Sequence, residues 1–360
     1  MEKTILIITD VEFWKKGAGH QTRISTLIRY LSIHTHLSVV FIGSESDVDV
    51  PAISRAHGCT VDFLAKSGSL EIKEYGSRLE RYLDNRPFDF CIFEFLHLSY
   101  YTQYLSENTK IILDTNDILY KRYLSYLDYH HESFTENITR ELEFKFFDLY
   151  DHILVISEPD LDLLKNAFPE NKLLLCPHPP AVCAHSFRDP ASNIGFVASE
   201  NPPNVEGIIF FLNETWPKIS AEFDISLAIY GNISRKLGFL EQSAGIGLKG
   251  FVPDLNDVYG EIDIAINPAR FGAGLKIKNM EALANGIPLV TTAHGARGLE
   301  KAKNKAFFVA DTPAETIACI RRLLYNPDLR KNMGEYGKRF ILENFSPDLC
   351  FGELLRLIEQ

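Results

Sequence analysis

The sequence lacks a basic excess, paired cysteines and any long apolar run, and each absence removes a class of function. Its 37 lysines and arginines are outnumbered by 48 aspartates and glutamates, for a formal charge of −11. That balance argues against a nucleic-acid binder or a polybasic membrane protein, although it leaves room for a local basic pocket. Six cysteines (Cys59, Cys91, Cys176, Cys183, Cys319 and Cys350) are scattered without C-x-x-C spacing. Metal and dithiol motifs are therefore absent, and a disulfide framework is a poor reading for a chain this long. Reduced thiols in a cytoplasmic protein fit better. No stretch approaches the ~18 apolar residues of a membrane span. The N-terminus, MEKTILIITD, passes from a short apolar run straight into a strand, so it is not read as a signal peptide. Short tandem repeats are absent too. Gly17-x-Gly19 is not a dinucleotide fingerprint: Thr22 holds the third glycine position, and the loop from strand to helix is too long.

The 360 residues predict about two domains on a prior of roughly 150 residues each. A hydrophobic content of 46% and a charged content of 24% are ordinary for a globular protein. Thr4 to Thr9 is a continuous apolar run, the mark of a strand covered on both faces. The loop with Gly17 and Gly19 follows, then a helix over Gln21 to Leu31 with Ile24, Leu27, Ile28 and Leu31 at helical spacing. Further strands are predicted at Leu37 to Ile42, Cys59 to Leu64, Phe90 to Phe95, Ile111 to Asp114, Ile153 to Ile156 and Leu173 to Leu175. The order β-loop-α-β opens a doubly wound sheet. His97 stands where one strand gives way to a loop, on the ligand side if the sheet is parallel. Asp114, Asn116 and Asp117 cluster at another strand end, where they either grip sugar hydroxyls or cap the next helix. Proline-rich residues 177 to 190 form the linker candidate, with a boundary near residue 185. The pattern then restarts with strands at Ile194 to Ala198 and Ile225 to Tyr230, and a helix running from Val205 to about Ile219.

The most informative stretch runs from Ile262 to Thr292. It reads strand, glycine loop, helix, glycine stop, strand. Gly272 and Gly274 lie in the loop, the helix starts near Lys276, and Gly286 ends it in a left-handed turn. A loop at the carboxyl end of a parallel strand, feeding a helix N-terminus, is where open α/β sheets bind ligands. The free N–H groups of the first turn favour an anion there. Lys276 and Lys278 sit in that turn, where cations disfavour the helix on its own. They point to a negatively charged guest such as a phosphate.

The second half resembles the C-terminal domain of retaining glycosyltransferases of the GT-B fold, the group called family 4. The match is carried by Ile194-Gly195-Phe196-Val197 with Asn204 after it, by Ala228-Ile229-Tyr230-Gly231 and by Lys249-Gly250-Phe251-Val252. Its most specific part is Asn267-Pro268 before Gly-x-Gly-Leu-Lys-x-Lys and Glu-Ala-Leu-Ala-x-Gly-x-Pro. The first half is similar more loosely. The resemblance implies an α/β chain of two Rossmann-like doubly wound domains facing each other across a cleft. Residues 1–184 would form the acceptor-side domain, joined by a returning helix at 348–360, and residues 185–347 the nucleotide-sugar domain. It implies a metal-independent hexosyltransferase-like enzyme without a cofactor, in glycan or polysaccharide biosynthesis. The donor would be a nucleotide-diphosphate-sugar; the acceptor a glycan, a lipid-linked or a small molecule. Peripheral membrane contact stays open, though no basic amphipathic helix argues for it.

The same resemblance assigns the donor to Gly272, Ala273, Gly274, Leu275, Lys276, Lys278, Glu281 and Arg235. Glu281 matches the ribose-binding second glutamate of the family's Glu-x7-Glu, and Ala273 stands where the first would be. Ser199 to Asn204 has neither the arginine nor the lysine that many members use for the diphosphate, so Lys276, Lys278 or Arg235 would take that charge. His97 matches a histidine near the transferred sugar, and with Lys276 is the catalytic candidate. Gly17, Gly19, Asp114, Asn116 and Asp117 fall on the acceptor side. The alternatives are a nucleotide-sugar epimerase and a non-catalytic binding or assembly subunit.

Overall fold

The computed structural model describes residues 3–129, 137–183, 185–240 and 244–360. The chain divides into two compact units. One holds residues 1–16, 20–178 and 347–360; the other holds residues 17–19 and 179–346.

The first unit is built on a parallel sheet. Its strands are β1 (Thr4–Thr9), β2 (His36–Ser44), β3 (Thr60–Ala65), β4 (Phe90–Glu94), β5 (Lys110–Asp114), β6 (His152–Val155) and β7 (Leu173–Leu175). They lie in the order β3-β2-β1-β4-β5-β6-β7. Helices α1 (Gly19–His34), α2 (Val50–His57), α3 (Ile72–Leu83), α4 (Leu119–Leu127), α5 (Arg140–Phe147) and α6 (Glu158–Lys165) connect them. The central strands are buried on both faces, with Ile5, Leu6, Ile7 and Ile8 fully inaccessible, which is why β1 reads as unbroken apolar sequence.

The second unit repeats the plan. Strands β8 (Asn193–Val197), β9 (Ser226–Tyr230), β10 (Ile246–Gly250), β11 (Ile264–Asn267), β12 (Leu289–Thr291) and β13 (Phe307–Val309) lie in the order β10-β9-β8-β11-β12-β13, all parallel. Its helices are α7 (Pro202–Glu214), α8 (Trp216–Ser220), α9 (Leu255–Tyr259), α10 (Ile277–Ala284), α11 (Pro313–Tyr325) and α12 (Pro327–Asn344). The helix expected to run unbroken to Ile219 stops at Glu214 and restarts at Trp216 with Pro217 in its first turn. A proline ring clashes with the preceding turn of a helix but suits the start of a new one. Capping sets other ends: the Thr312 side chain and Glu315 form a reciprocal capping box on α11.

The last helix, α13 (Pro347–Glu359), belongs to the first unit. Tyr30 donates its hydroxyl to Asp348 at 3.2 Å, and Phe351 packs at 5.4 Å from the Tyr30 ring. Phe351 and Leu354 are fully buried. The six cysteines are all free. Among the described residues no helix is long and apolar enough to cross a membrane.

Candidate functional site

In each sheet the connections reverse direction between two neighbouring strands, β1 with β4 and β8 with β11. Ligands of open α/β sheets bind beyond the carboxyl ends of the strands at such a switch point. In the second unit this places the loops after Val197 and Asn267 side by side.

A buried amide network fixes that corner. The Asn267 carboxamide donates to Asn279 Oδ1 at 2.9 Å, and Asn279 Nδ2 donates to the Gly295 carbonyl at 2.8 Å. The Thr291 hydroxyl donates to the Asn267 carbonyl at 3.0 Å. The ends of β11 and β12 and the start of α10 are thereby tied together by groups with almost no exposure. The loop between β11 and α10 turns through two left-handed glycines, Gly272 at φ +111° and Gly274 at φ +69°. Ala273 and Gly274 are half-buried and Leu275 is buried.

Lys276 is the N-cap residue of α10, and its ammonium folds back to donate to the carbonyls of Ala273 and Gly274 at 2.7 and 2.9 Å. It therefore braces the loop. Lys278 reaches away from the loop to α7, where its ammonium donates to Asn204 Oδ1 and lies 4.9 Å from the Phe196 ring centroid. Asn204 Nδ2 donates in turn to the Ser199 carbonyl at 2.9 Å. The cation missing from Ser199–Asn204 in the sequence is thus supplied to that segment by α10. Burial is the main reason the Lys278 pKa falls to about 7; Lys276 adds to the shift and Glu281 opposes it.

Glu281 is buried and accepts a hydrogen bond from the Tyr259 hydroxyl at 2.6 Å. Burial raises its pKa to about 7, against the pull of the Tyr259 hydrogen bond and Lys278. His294, on the loop after β12, has a buried Nε2 without a hydrogen-bond partner. Arg235 is exposed on the 3-10 turn Asn232–Lys236 that follows β9.

In the first unit the switch point carries Asp10, after β1, and His97, after β4. Their Oδ2 and Nε2 atoms stand 2.7 Å apart, and the imidazole stacks on Phe95 with centroids 5.9 Å apart. Phe95 itself takes φ +77° and ψ 147°. A bulky residue in that region costs on the order of 1–3 kcal/mol and persists only where its surroundings enforce it, most often at functional sites.

Asp114 does not face solvent. It is fully buried, and both of its oxygens accept from Arg23, at 2.9 and 3.0 Å. Neither oxygen is presented to an outside ligand, so Asp114 itself is not an open grip for sugar hydroxyls. Asn116, at φ +54°, donates to Glu94 Oε2 at 3.1 Å. Burial, and then the Asp114 charge, raise the Glu94 pKa well above the usual carboxylate range. Asp117 pairs with Arg122 at 3.1 Å. Gly17 takes φ +129°, and Gly19 is the first residue of α1. Asp10, Phe95, Arg23, Tyr259 and His294 went unread in the sequence. Only Asp10, the first polar residue after the β1 apolar run, carried a local signal. Among the described residues no group of three His, Cys, Asp or Glu side chains is placed to hold a metal ion.

Residues 191–326 match the family described as glycosyl transferases group 1. A protein of Klebsiella pneumoniae, named an uncharacterized 44.6 kDa protein in the cps region, is 27% identical over 165 residues. That alignment covers 43% of this chain and 42% of the relative, so the chain spans less than half of the relative's length. Among solved structures, the sucrose-phosphate synthase of Thermosynechococcus elongatus superposes with a TM-score of 0.75 at 12% identity, over 99% of both chains. HepE of Anabaena, solved in complex with UDP and glucose, superposes with a TM-score of 0.74 at 9% identity, over 99% of this chain and 100% of its own. At those identities the likeness establishes the fold. The chain therefore has the GT-B architecture of two Rossmann-like units, and the match to glycosyl transferases group 1 falls within the second of them.

Proposed function

We propose that the protein moves a sugar from a nucleotide-diphosphate-sugar to an acceptor hydroxyl, with retention of configuration and without a metal, during the building of a glycan or polysaccharide. The observation that carries this reading is the Lys278 ammonium, held against Asn204 and the Phe196 ring at the switch point of the group 1 unit. It restores a cation to a segment whose own sequence has none. The cps location named for the Klebsiella relative and the UDP named for HepE support the substrate class.

As the bond from the sugar to the diphosphate breaks, negative charge grows on the leaving phosphate. Donors already aimed at that charge stabilise it most, because they need no reorganisation. The N–H groups of the first α10 turn, the glycine-loop backbone and the Lys278 ammonium are assigned that work, and Glu281 the ribose hydroxyls. Lys276 holds the loop in shape and adds its charge. Arg235, exposed beyond β9, is a second source of positive charge. On the acceptor side the assignment rests on His97 with Asp10, with Gly17, Gly19 and Asp117 lining the approach.

The test is a thermal-shift panel of UDP, GDP, ADP and TDP with their sugars, followed by product analysis with and without acceptor. Stabilisation by one base and acceptor-dependent release of its diphosphate is the expected result. Conversion of the donor alone would make the protein an epimerase. Ala273, standing where a glutamate contacts the donor sugar in the family, favours a second reading, a subunit that binds without catalysis. Binding with no turnover on any acceptor would support it.

A further inference from the structure

His294 is set out as a ligand contact by its surroundings. Its backbone is pinned on both sides: the Ala293 N–H donates to Asp311 at 2.8 Å, and the Gly295 N–H donates to the Thr292 hydroxyl at 3.0 Å. Gly295 admits no side chain, since a Cβ there would lie 2.1 Å from the Thr291 hydroxyl oxygen. The turn that carries the imidazole is therefore specific to this sequence and rigid. The residue is nine-tenths buried, yet its Nε2 has no hydrogen-bond partner. That nitrogen lies 3.9 Å from where a Cβ on Gly272 would stand, which aims it at the turn of the glycine loop. Buried polar atoms in native proteins are nearly always bonded, and an orphan in a binding loop calls for a ligand.

We propose that His294 is a phosphate contact of the donor site: as the sugar nucleotide binds, Nε2 takes a proton from solvent and donates it in a hydrogen bond to a diphosphate oxygen. The proposal rests on the nucleotide-sugar reading above. The charges that act on the ring explain why it would titrate. Burial, then Lys276 on the loop and Arg297 three residues on, hold the imidazole neutral in the empty protein, with a pKa of about 3. Asp311 is engaged with the backbone one residue away, and Lys278 and Glu281 face each other's charge on α10. A diphosphate placed on the loop reverses the field of the two cations and favours imidazolium. The proton then couples donor affinity to pH, and the affinity rises as pH falls.

Calorimetry tests this on the full chain. The sugar nucleotide selected from UDP-glucose, GDP-mannose, ADP-glucose and dTDP-glucose is titrated at pH 7 in buffers of different ionisation enthalpy, which reports protons taken up on binding. These diesters are used because the terminal phosphate of a free nucleoside diphosphate itself titrates near pH ~6. The wild type takes up protons. His294→Gln loses that uptake and binds about tenfold more weakly, as loss of one hydrogen bond to a charged group predicts. Lys278→Met and Glu281→Gln, each of which removes another donor-site group titrating near neutrality, keep His294's share. The imidazole resonance of the wild type, followed with and without ligand, gives the same answer without a substitution. Binding with no proton uptake, or with uptake unchanged in His294→Gln and an unshifted resonance, overturns the proposal and leaves the donor site standing. Failure of every sugar nucleotide to bind overturns the functional reading and the proposal with it.

Discussion

Asp10 Oδ2 and His97 Nε2 stand 2.7 Å apart at the ends of β1 and β4, two strands that are neighbours in the sheet although the residues are 87 positions apart. An imidazole that gives one N–H to a carboxylate is fixed in ring orientation and presents its other nitrogen to a partner. Asp10→Asn removes the charge and keeps the shape. Transfer to acceptor is expected to fall about 10²-fold, the scale of a positioned acid or base. Affinity for the sugar nucleotide, which is assigned to the other unit, should not change. Steady-state kinetics beside calorimetry separates the two. Equal turnover in Asp10→Asn would make the pair a structural one.

Lys278 sets stability against binding. Burial opposes its charge and, with Lys276 nearby, lowers its pKa to about 7. Lys278→Met keeps the stem against Phe196 and discards the ammonium. The free protein is then expected to melt higher at pH 6, where the wild type must keep the charge buried. Nucleotide-sugar affinity is expected to drop roughly tenfold to a hundredfold, the worth of one charge-assisted contact. Melting curves and calorimetry on the same preparation check both. A variant that neither gains stability nor loses affinity contradicts the assignment of this cation.

Glu143 gives a pH dependence with a definite sign. Its carboxylate is fully buried and accepts the backbone N–H groups of Leu119 and Tyr120 at 2.7 and 2.8 Å, so it caps the first turn of α4 from α5. Burial still outweighs those bonds and raises its pKa from 4.5 to about 7. The folded protein therefore binds more protons than the unfolded chain between the two values. This contribution is complete below pH 4.5 and is lost as the pH rises through 7, worth about 3 kcal/mol in all at ~1.36 kcal/mol per unit. Glu281, also raised to about 7, acts in the same direction, whereas Lys278 acts oppositely above neutrality. Urea melts at pH 5 and 7.5 should show Glu143→Gln flattening the slope while lowering stability at pH 5. An unchanged slope would mean the carboxyl titrates normally.

The parts of this fold that can be read from sequence are those whose cause is local. β1 is legible because a strand covered on both faces is apolar throughout. The start of α12 is legible because Asn326 caps it, accepting from the Leu329 N–H at 2.9 Å, with Pro327 at the first helical position. Helix α2 escapes notice because only Ile53 and His57 are buried along it, so it shows no apolar stripe. The glycine loop and α10 are legible for a different local reason: glycines where φ is positive, then helical spacing. The site's pairings are not local. Arg23 with Asp114, Asp10 with His97 and Lys278 with Asn204 are 91, 87 and 74 positions apart. Each depends on which strands become neighbours, and nothing in either member's own stretch announces the other. The reading of Asp114 as a sugar grip was lost in this way, since its partner lies on a helix near the start of the chain.

The donor loop is also held from behind. Helix α12 crosses the end of α10 so closely that a Cβ on Gly334 would lie 2.0 Å from the Gly286 carbonyl oxygen. Gly286 is the left-handed residue, φ +72°, that ends α10. Backbone cannot give way as a flexible side chain can, so Gly334→Ala must push the two helices apart. Overpacking of this kind costs about 1–3 kcal/mol. The displacement would be carried along α10 to Lys278 and Glu281 at the donor end. Gly334→Ala is thus expected to lower the denaturant midpoint and to weaken nucleotide-sugar binding, although residue 334 is assigned no contact with the ligand. Gly337→Ala, one turn further along α12, is the control. The nearest atoms to its Cβ would be Leu283 Cδ2 at 3.2 Å, Ala306 Cβ at 3.4 Å and Leu283 Cβ at 3.5 Å, contacts that ask for shifts of no more than a few tenths of an ångström. A Gly334→Ala protein with normal stability and normal affinity would show that α10 is not positioned by this crossing.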